Sequence, residues 1–130
     1  MKILTDTEYK DIRELYILYF TTILPNECCN YLWDHLREYN RKSEQFYMNY
    51  LMNKNNVYIM WDTLEHIELL KNDYFKYPRH SILSATTREF YDMIEILPED
   101  IYVFDDSFTW TVVFTNEYIS KDRRYCLAII

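Results

Sequence analysis

The chain has 130 residues, 49% of them hydrophobic and 18% aromatic, with a formal net charge of −7. That length fits one domain, and that apolar fraction supports a sizeable core, which excludes an intrinsically disordered chain. Glycine is absent where average usage gives about nine, which excludes a P-loop, a dinucleotide fingerprint, a G-x-S-x-G elbow and a standard calcium loop.

Those sites need positive φ or very close backbone approach, which glycine supplies cheaply. The turns here must use Asn, Asp, Ser and Pro. The balance of 21 acids against 14 bases argues against nucleic-acid binding and against an anionic membrane surface. It admits two readings: a charge excess that keeps a small protein in solution, or complementarity to a basic protein partner. The start, with Asp6, Glu8 and Asp11 soon after Ile3 and Leu4, lacks the pattern of a secretory signal. The apolar run over 15–24 is too short for a membrane span, so a cytoplasmic location is expected. Cys28, Cys29 and Cys126 are odd in number and without C-x-x-C spacing, so neither a disulfide framework nor a zinc site is indicated.

Thr5-x-x-Glu8 has the pattern of a capping box, and Ile12, Leu15, Tyr16, Tyr19 and Phe20 follow at helical spacing, which predicts a helix over 5–22. Pro25 opens a second predicted helix with Cys29, Leu32, Trp33 and Leu36 inward. Ser43 caps a third through Met52, with Phe46, Tyr47, Tyr50 and Leu51 inward. Asn55-Asn56 is turn chemistry, and 57–61 reads as a strand. Helices are predicted from Thr63 to before Pro78, and from a Ser84 cap to Leu97. The tail changes character: 101–104, 109–116 and 125–129 are strand-like runs separated by polar turns. Trp110, Val112 and Phe114 alternate with Thr109, Thr111 and Thr115, which predicts an apolar face on the helices and a threonine face outward. The expected class is α+β: a single domain, 1–130, with N-terminal helices on one face of a small antiparallel sheet that ends in a three-strand meander.

No residue pattern commits to catalysis. His35, His66 and His80 are the only imidazole bases, and none sits in a motif with a nucleophile. Asp62 with His66, and Asp34 with His35 and Glu38, are metal-ligating types at close spacing, but neither forms a metalloprotease helix. No metal or cofactor is expected. A small hydrolase using Glu117, Asp62 and a histidine is one alternative; a homo-oligomeric structural or regulatory domain, built on the threonine face or a strand edge, is another.

Two features point to binding. Between 89 and 120 there are eight acids and no Lys or Arg. Glu89, Asp92, Glu95 and Glu99 are spaced as a stripe on the last predicted helix, with Asp105, Asp106 and Glu117 beyond it. The second feature is 14 tyrosines, several at predicted element ends, Tyr118 among them. Tyrosine suits interfaces because it joins a rigid apolar body to a polar tip, although an AT-rich genome also enriches it.

The run Asp-Ile-Tyr-Val-Phe-Asp-Asp-Ser-Phe-Thr-Trp-Thr-Val-Val-Phe-Thr-Asn-Glu over 100–117 resembles the tails of a group of small Firmicutes proteins, which carry an aromatic strand, a turn, and a Trp-Thr strand ending in Thr-His-Glu. The segment Tyr31-Leu32-Trp33-Asp34-His35-Leu36 is similar to an upstream helix of that group. The likeness spans roughly a third of the chain, and Asn116 stands where the group carries His. It implies no activity, but small acidic proteins of this kind suggest immunity proteins. The expected function is therefore a non-enzymatic inhibitor that masks a basic toxin or nuclease, with Glu89, Asp92, Glu95, Glu99, Asp105, Asp106, Glu117 and Tyr118 as the binding residues. A phage-encoded inhibitor of a host nuclease has the same physics.

Overall fold

The apolar runs pair into one seven-stranded antiparallel sheet in the computed structural model, which describes residues 1–24, 27, 31–62 and 77–130. In chain order the strands are β1 (Lys2–Leu4), β2 (Asn40–Lys42), β3 (Asn56–Trp61), β4 (Ile82–Thr86), β5 (Ile101–Phe104), β6 (Thr111–Ser120) and β7 (Arg123–Ile129). Their order across the sheet is β1-β4-β3-β5-β6-β7-β2. The three C-terminal strands form the expected meander, and the class is α+β. Both edges are strands of only three residues, which limits edge-to-edge pairing.

The sheet is larger than the sequence suggests and is covered on both faces rather than one. Helix α1 (Asp6–Phe20) lays Tyr16 and Phe20 on Met60, Ile82, Tyr102, Phe104, Val113 and Leu127. Helices α2 (Glu44–Leu51) and α3 (Thr87–Met93) put Tyr47, Leu51, Phe90 and Met93 on the opposite face, against Val57, Ile59, Leu83, Val103, Val112 and Phe114. This explains why Ile101, Tyr102, Val103 and Phe104 are all fully buried: a strand with cover on both sides has no polar face. It also corrects the outward threonine face. Thr111 and Thr115 are fully buried, and Thr111 Oγ1 is hydrogen-bonded to Tyr16 Oη of α1 at 2.9 Å.

Helix starts differ from the expected ones for local reasons. Thr5 makes no side-chain cap; its hydroxyl bonds the Asp6 carboxylate instead. Burial of Tyr16 and Phe20, about 1.5–3 kcal/mol each, outweighs a cap worth about 1 kcal/mol, so α1 forms regardless. Ser43 caps α2 as expected, accepting from Phe46 N, although the Phe46 ring is exposed. Ser84 does not start a helix. It lies in β4, and the capping box sits two residues later: Thr86 Oγ1 accepts from Glu89 N at 3.1 Å while Glu89 Oε1 accepts from Thr86 N at 2.9 Å. Thr86→Ala is accordingly expected to lower stability by about 1 kcal/mol and Thr5→Ala by much less, as urea unfolding would show.

The helix expected from Pro25 is, in its described part, a 3-10 turn at Leu32–His35; residues 25, 26 and 28–30 lie outside the described residues, Cys28 and Cys29 with them. The helix expected from Thr63, with His66, also lies outside them. Among the described residues no helix is long and apolar enough to cross a membrane.

Candidate functional site

The strand register brings together two turns that are far apart in sequence. Tyr58 pairs with Ser84 on one side and with Phe104 on the other, and Ser84 pairs with Lys2. The turn before β3 and the turn after β5 therefore meet at one end of the sheet. Between them lies a cleft of about 460 Å³, lined by Asn53, Lys54, Asn55 and Asn56 together with Tyr58, Asp105 and Asp106.

The acidic side of this cleft is held rigidly. Asp105 Oδ1 accepts from Ser107 N at 3.0 Å, and Asp105 Oδ2 accepts from Trp110 Nε1 at 2.9 Å. The chain turns through Phe108, whose N–H reaches Asp105 O at 3.2 Å with φ at +52°. With no glycine available for this left-handed position, a phenylalanine takes it, and its ring is held by Tyr19 and Phe104. Partial burial pushes the Asp105 carboxyl up, but its hydrogen bonds from Ser107 and Trp110 and the charge of Lys54 outweigh that and leave it below the ordinary carboxylate value. It is an anchored anion at neutral pH. Lys54 is itself held over the rings of Tyr50 and Trp110, at 5.1 and 4.9 Å. Asp106 is exposed. Burial, followed by the charges of Asp106, Glu8 and Asp105, raises the pKa of the Tyr58 hydroxyl, so three carboxylates act on one half-buried phenol. Glu8 is exposed on α1 with Lys2 at 4.0 Å.

The other expected binding residues go elsewhere. The helical stripe is interrupted: α3 ends at Met93, Ile94–Ile96 is a 3-10 turn, and Leu97 is extended, the conformation favoured before Pro98. Glu89 is occupied as the cap of α3, and its Oε2 lies 3.0 Å from the Met1 amino group; these contacts, the Thr86 N–H first, hold its pKa below the usual value. Asp92, Glu95 and Glu99 are exposed but share no continuous helix. Glu117 and Tyr118 are exposed on the part of β6 that runs past the regular β6–β7 register, at the opposite end of the sheet from Asp105 and Asp106. Of the expected set, Asp105 and Asp106 line this cleft, which adds Tyr58, and the charge of Glu8 acts on the Tyr58 hydroxyl.

A second polar assembly is buried. Asp62 follows Trp61, which pairs with Ile101, and this places Asp62 beside Asp100 across the β3–β5 pair. Asp62 Oδ1 accepts from Leu32 N at 3.1 Å and Oδ2 from Tyr102 Oη at 2.6 Å. The same phenol oxygen accepts from Trp33 N at 2.9 Å. Asp100 Oδ1 accepts from Trp33 Nε1 at 3.0 Å and from Asn116 N at 2.9 Å, while its Oδ2 is buried without a partner. Burial pushes the Asp62 carboxyl up to about 6 against these hydrogen bonds. The arrangement latches the 3-10 turn onto the sheet. Tyr102→Phe is expected to leave Trp33 N and Asp62 Oδ2 without partners and to cost about 2–4 kcal/mol in urea unfolding.

Among the described residues, Asp62 and Glu117 of the hydrolase alternative do not share a site. Asp62 is buried with both oxygens occupied, Glu117 faces solvent, and His66 lies outside the described residues. Among the described residues no group of three or more His, Cys, Asp or Glu is placed to hold a metal. No family model, curated protein or solved structure matches the chain.

Proposed function

We propose that this is a non-enzymatic binding protein of the immunity or inhibitor kind, which covers the basic surface of a toxin or nuclease. The observation that carries the reading is the cleft in which Asp105 and Asp106 lie with Tyr58, with the charge of Glu8 acting on the same phenol from α1. A partner lysine or arginine entering there meets the anchored Asp105 carboxylate and the exposed Asp106, asparagine amides whose oxygens accept hydrogen bonds, and an aromatic ring for its apolar stem. The carboxylates stand where substrate phosphates would stand on such a partner, so binding occludes its active surface. The net charge of −7 speeds encounter with a basic molecule.

Co-purification of the tagged chain from its native host at low salt tests this. A basic protein is expected to be retained at about 50 mM NaCl and released as salt screens the contact. Recovery of no basic partner, or retention unchanged by Asp106→Lys with Glu8→Lys, would remove the reading. The neighbouring gene separates an immunity protein, beside its toxin, from a phage-encoded inhibitor.

A further inference from the structure

Helix α1 turns Tyr9, Tyr16 and Phe20 inward, and its opposite face is exposed. Along that face stand Glu8, Asp11, Leu15 and Leu18, all exposed, at successive spacings of three, four and three. Those spacings have the period of a helix–helix seam, in which each such side chain meets a partner helix. The first half of the seam is acidic and the second half apolar. Leu18 is 60% exposed and Tyr19 beside it 53%, and Leu15 is one turn from both, so the apolar half is a joined patch and not a scatter of single residues.

This face is continuous with the acidic cleft. Tyr19 stacks on Phe108 at 5.7 Å, and Phe108 closes the turn that carries Asp105 and Asp106. Glu8, at the other end of the seam, acts on the Tyr58 hydroxyl together with those two carboxylates. Lys2 lies 4.0 Å from Glu8, but both side chains are exposed, and such a pair is worth little against a better-buried one.

We propose that the outer face of α1 receives a basic amphipathic helix of the partner protein, with lysines or arginines over Glu8 and Asp11 and apolar side chains over Leu15, Leu18 and Tyr19. The proposal rests on the reading of a basic partner given above and names the element that this partner presents. A second copy of the chain does not fit. Antiparallel along the whole seam, Leu18 meets Glu8 and Leu15 meets Asp11, which buries carboxylates against leucines; parallel, each acid meets its own copy. Overlap at the leucines alone leaves one helical turn in contact, far short of the roughly 1,200 Å² that a specific dimer buries. A nucleic acid would bring phosphates against the acids. A helix that is basic in one half and apolar in the other satisfies both halves: the charges align it, and burial of the leucines supplies affinity.

The test is isothermal titration of the full chain with two synthetic peptides of about 14 residues, about four helical turns each. Both carry lysines along one half of a helical seam; one carries leucines along the other half, and its control carries alanines there. Each is used at concentrations where the peptide alone is monomeric. The leucine peptide is expected to bind, and the alanine peptide to bind at least tenfold more weakly. Leu15→Gln with Leu18→Gln, at exposed positions and with a good helix former, is expected to keep the melting transition and to erase that difference. Glu8→Gln with Asp11→Asn is expected to weaken the leucine peptide at least tenfold, and Asp92→Asn with Glu95→Gln, the same change in charge at exposed positions outside α1, less than twofold. Absence of binding, equal binding of the two peptides, or a leucine preference unaltered in the Leu15/Leu18 variant overturns the proposal. A native dimer in sedimentation that is lost in that variant overturns it in favour of a second copy. The two readings fail separately. If neither peptide binds while the host's basic partner is retained and is lost with Asp106→Lys and Glu8→Lys, the seam falls and the proposed function stands. If the leucine peptide binds as expected while no basic partner is recovered, the seam stands and the inhibitor reading falls.

Discussion

The difference in unfolding free energy between the native chain and Asp62→Asn is expected to fall by about 2 kcal/mol as pH rises from about 4 to about 6.5. Burial raises the Asp62 carboxyl from 3.8 to about 6 in the fold. The folded chain therefore holds a proton that the unfolded chain has already released, and stability declines with pH across that window. The contribution is fully present below about 3.8 and is lost once the folded carboxyl ionises. Arg13 opposes the shift and Asp100 adds to it, so ionised Asp62 shares the end of the sheet with one cation and one further carboxylate. Glu89 and Asp105 have lowered values and slope the other way: their stability is present above the ordinary carboxylate range and lost in acid. Subtracting the asparagine variant cancels them. Asparagine at 62 keeps an oxygen for Leu32 N and never ionises, so its slope is the readout and its absolute stability is not. Urea unfolding of both proteins at five pH values measures the difference; a flat difference would show that Asp62 keeps an ordinary pKa despite its burial.

Which parts of this molecule could be read from its sequence follows from how far apart the interacting residues lie. β5 was legible as Ile101–Phe104 because four consecutive apolar residues precede an Asp-Asp-Ser turn. α2 was legible because Ser43 caps a run with Tyr47 and Leu51 one turn apart. β4 was misread because Ser84 and Thr86 are both helix-capping types two residues apart; the strand is decided by pairing with β1 and β3, which local sequence does not contain. β1 and β2 are three residues each, too short for periodicity, and their partners lie about eighty residues away. The outward threonines failed for the same reason: alternation in β6 marks two faces, but only α1, from the far end of the chain, decides that both are covered. In the cleft, Asp105 and Asp106 were legible as a turn with excess charge. Tyr58 and the asparagines were not, because β3 and β5 are neighbours in the sheet and not in the sequence. The pairing of Asp62 with Asp100 was invisible on that same ground.

Reversing charge at two exposed positions that act on Tyr58, Glu8→Lys with Asp106→Lys, is expected to weaken binding to the basic partner at least a hundredfold, about 2.7 kcal/mol or more. Each substitution replaces a negative charge with a positive one, so the charge acting on Tyr58 changes by four, and a cation that met attraction meets repulsion beside a half-buried phenol. Asp105 is left intact because its carboxylate holds Ser107 and Trp110, and changing it would confound a lost turn with a lost contact. Much of the effect should fall on association, and native and variant rates should converge as NaCl rises from about 50 to about 500 mM, because screening shortens the reach of both fields. Asp92→Lys with Glu95→Lys makes the same change in net charge at two other exposed positions, neither of which is among the charges that act on Tyr58. If overall charge alone governs binding, the two double variants will lose affinity equally. If the carboxylates that act on Tyr58 govern it, the second pair will stay within about fivefold of the native chain, and surface plasmon resonance against the captured partner decides between them.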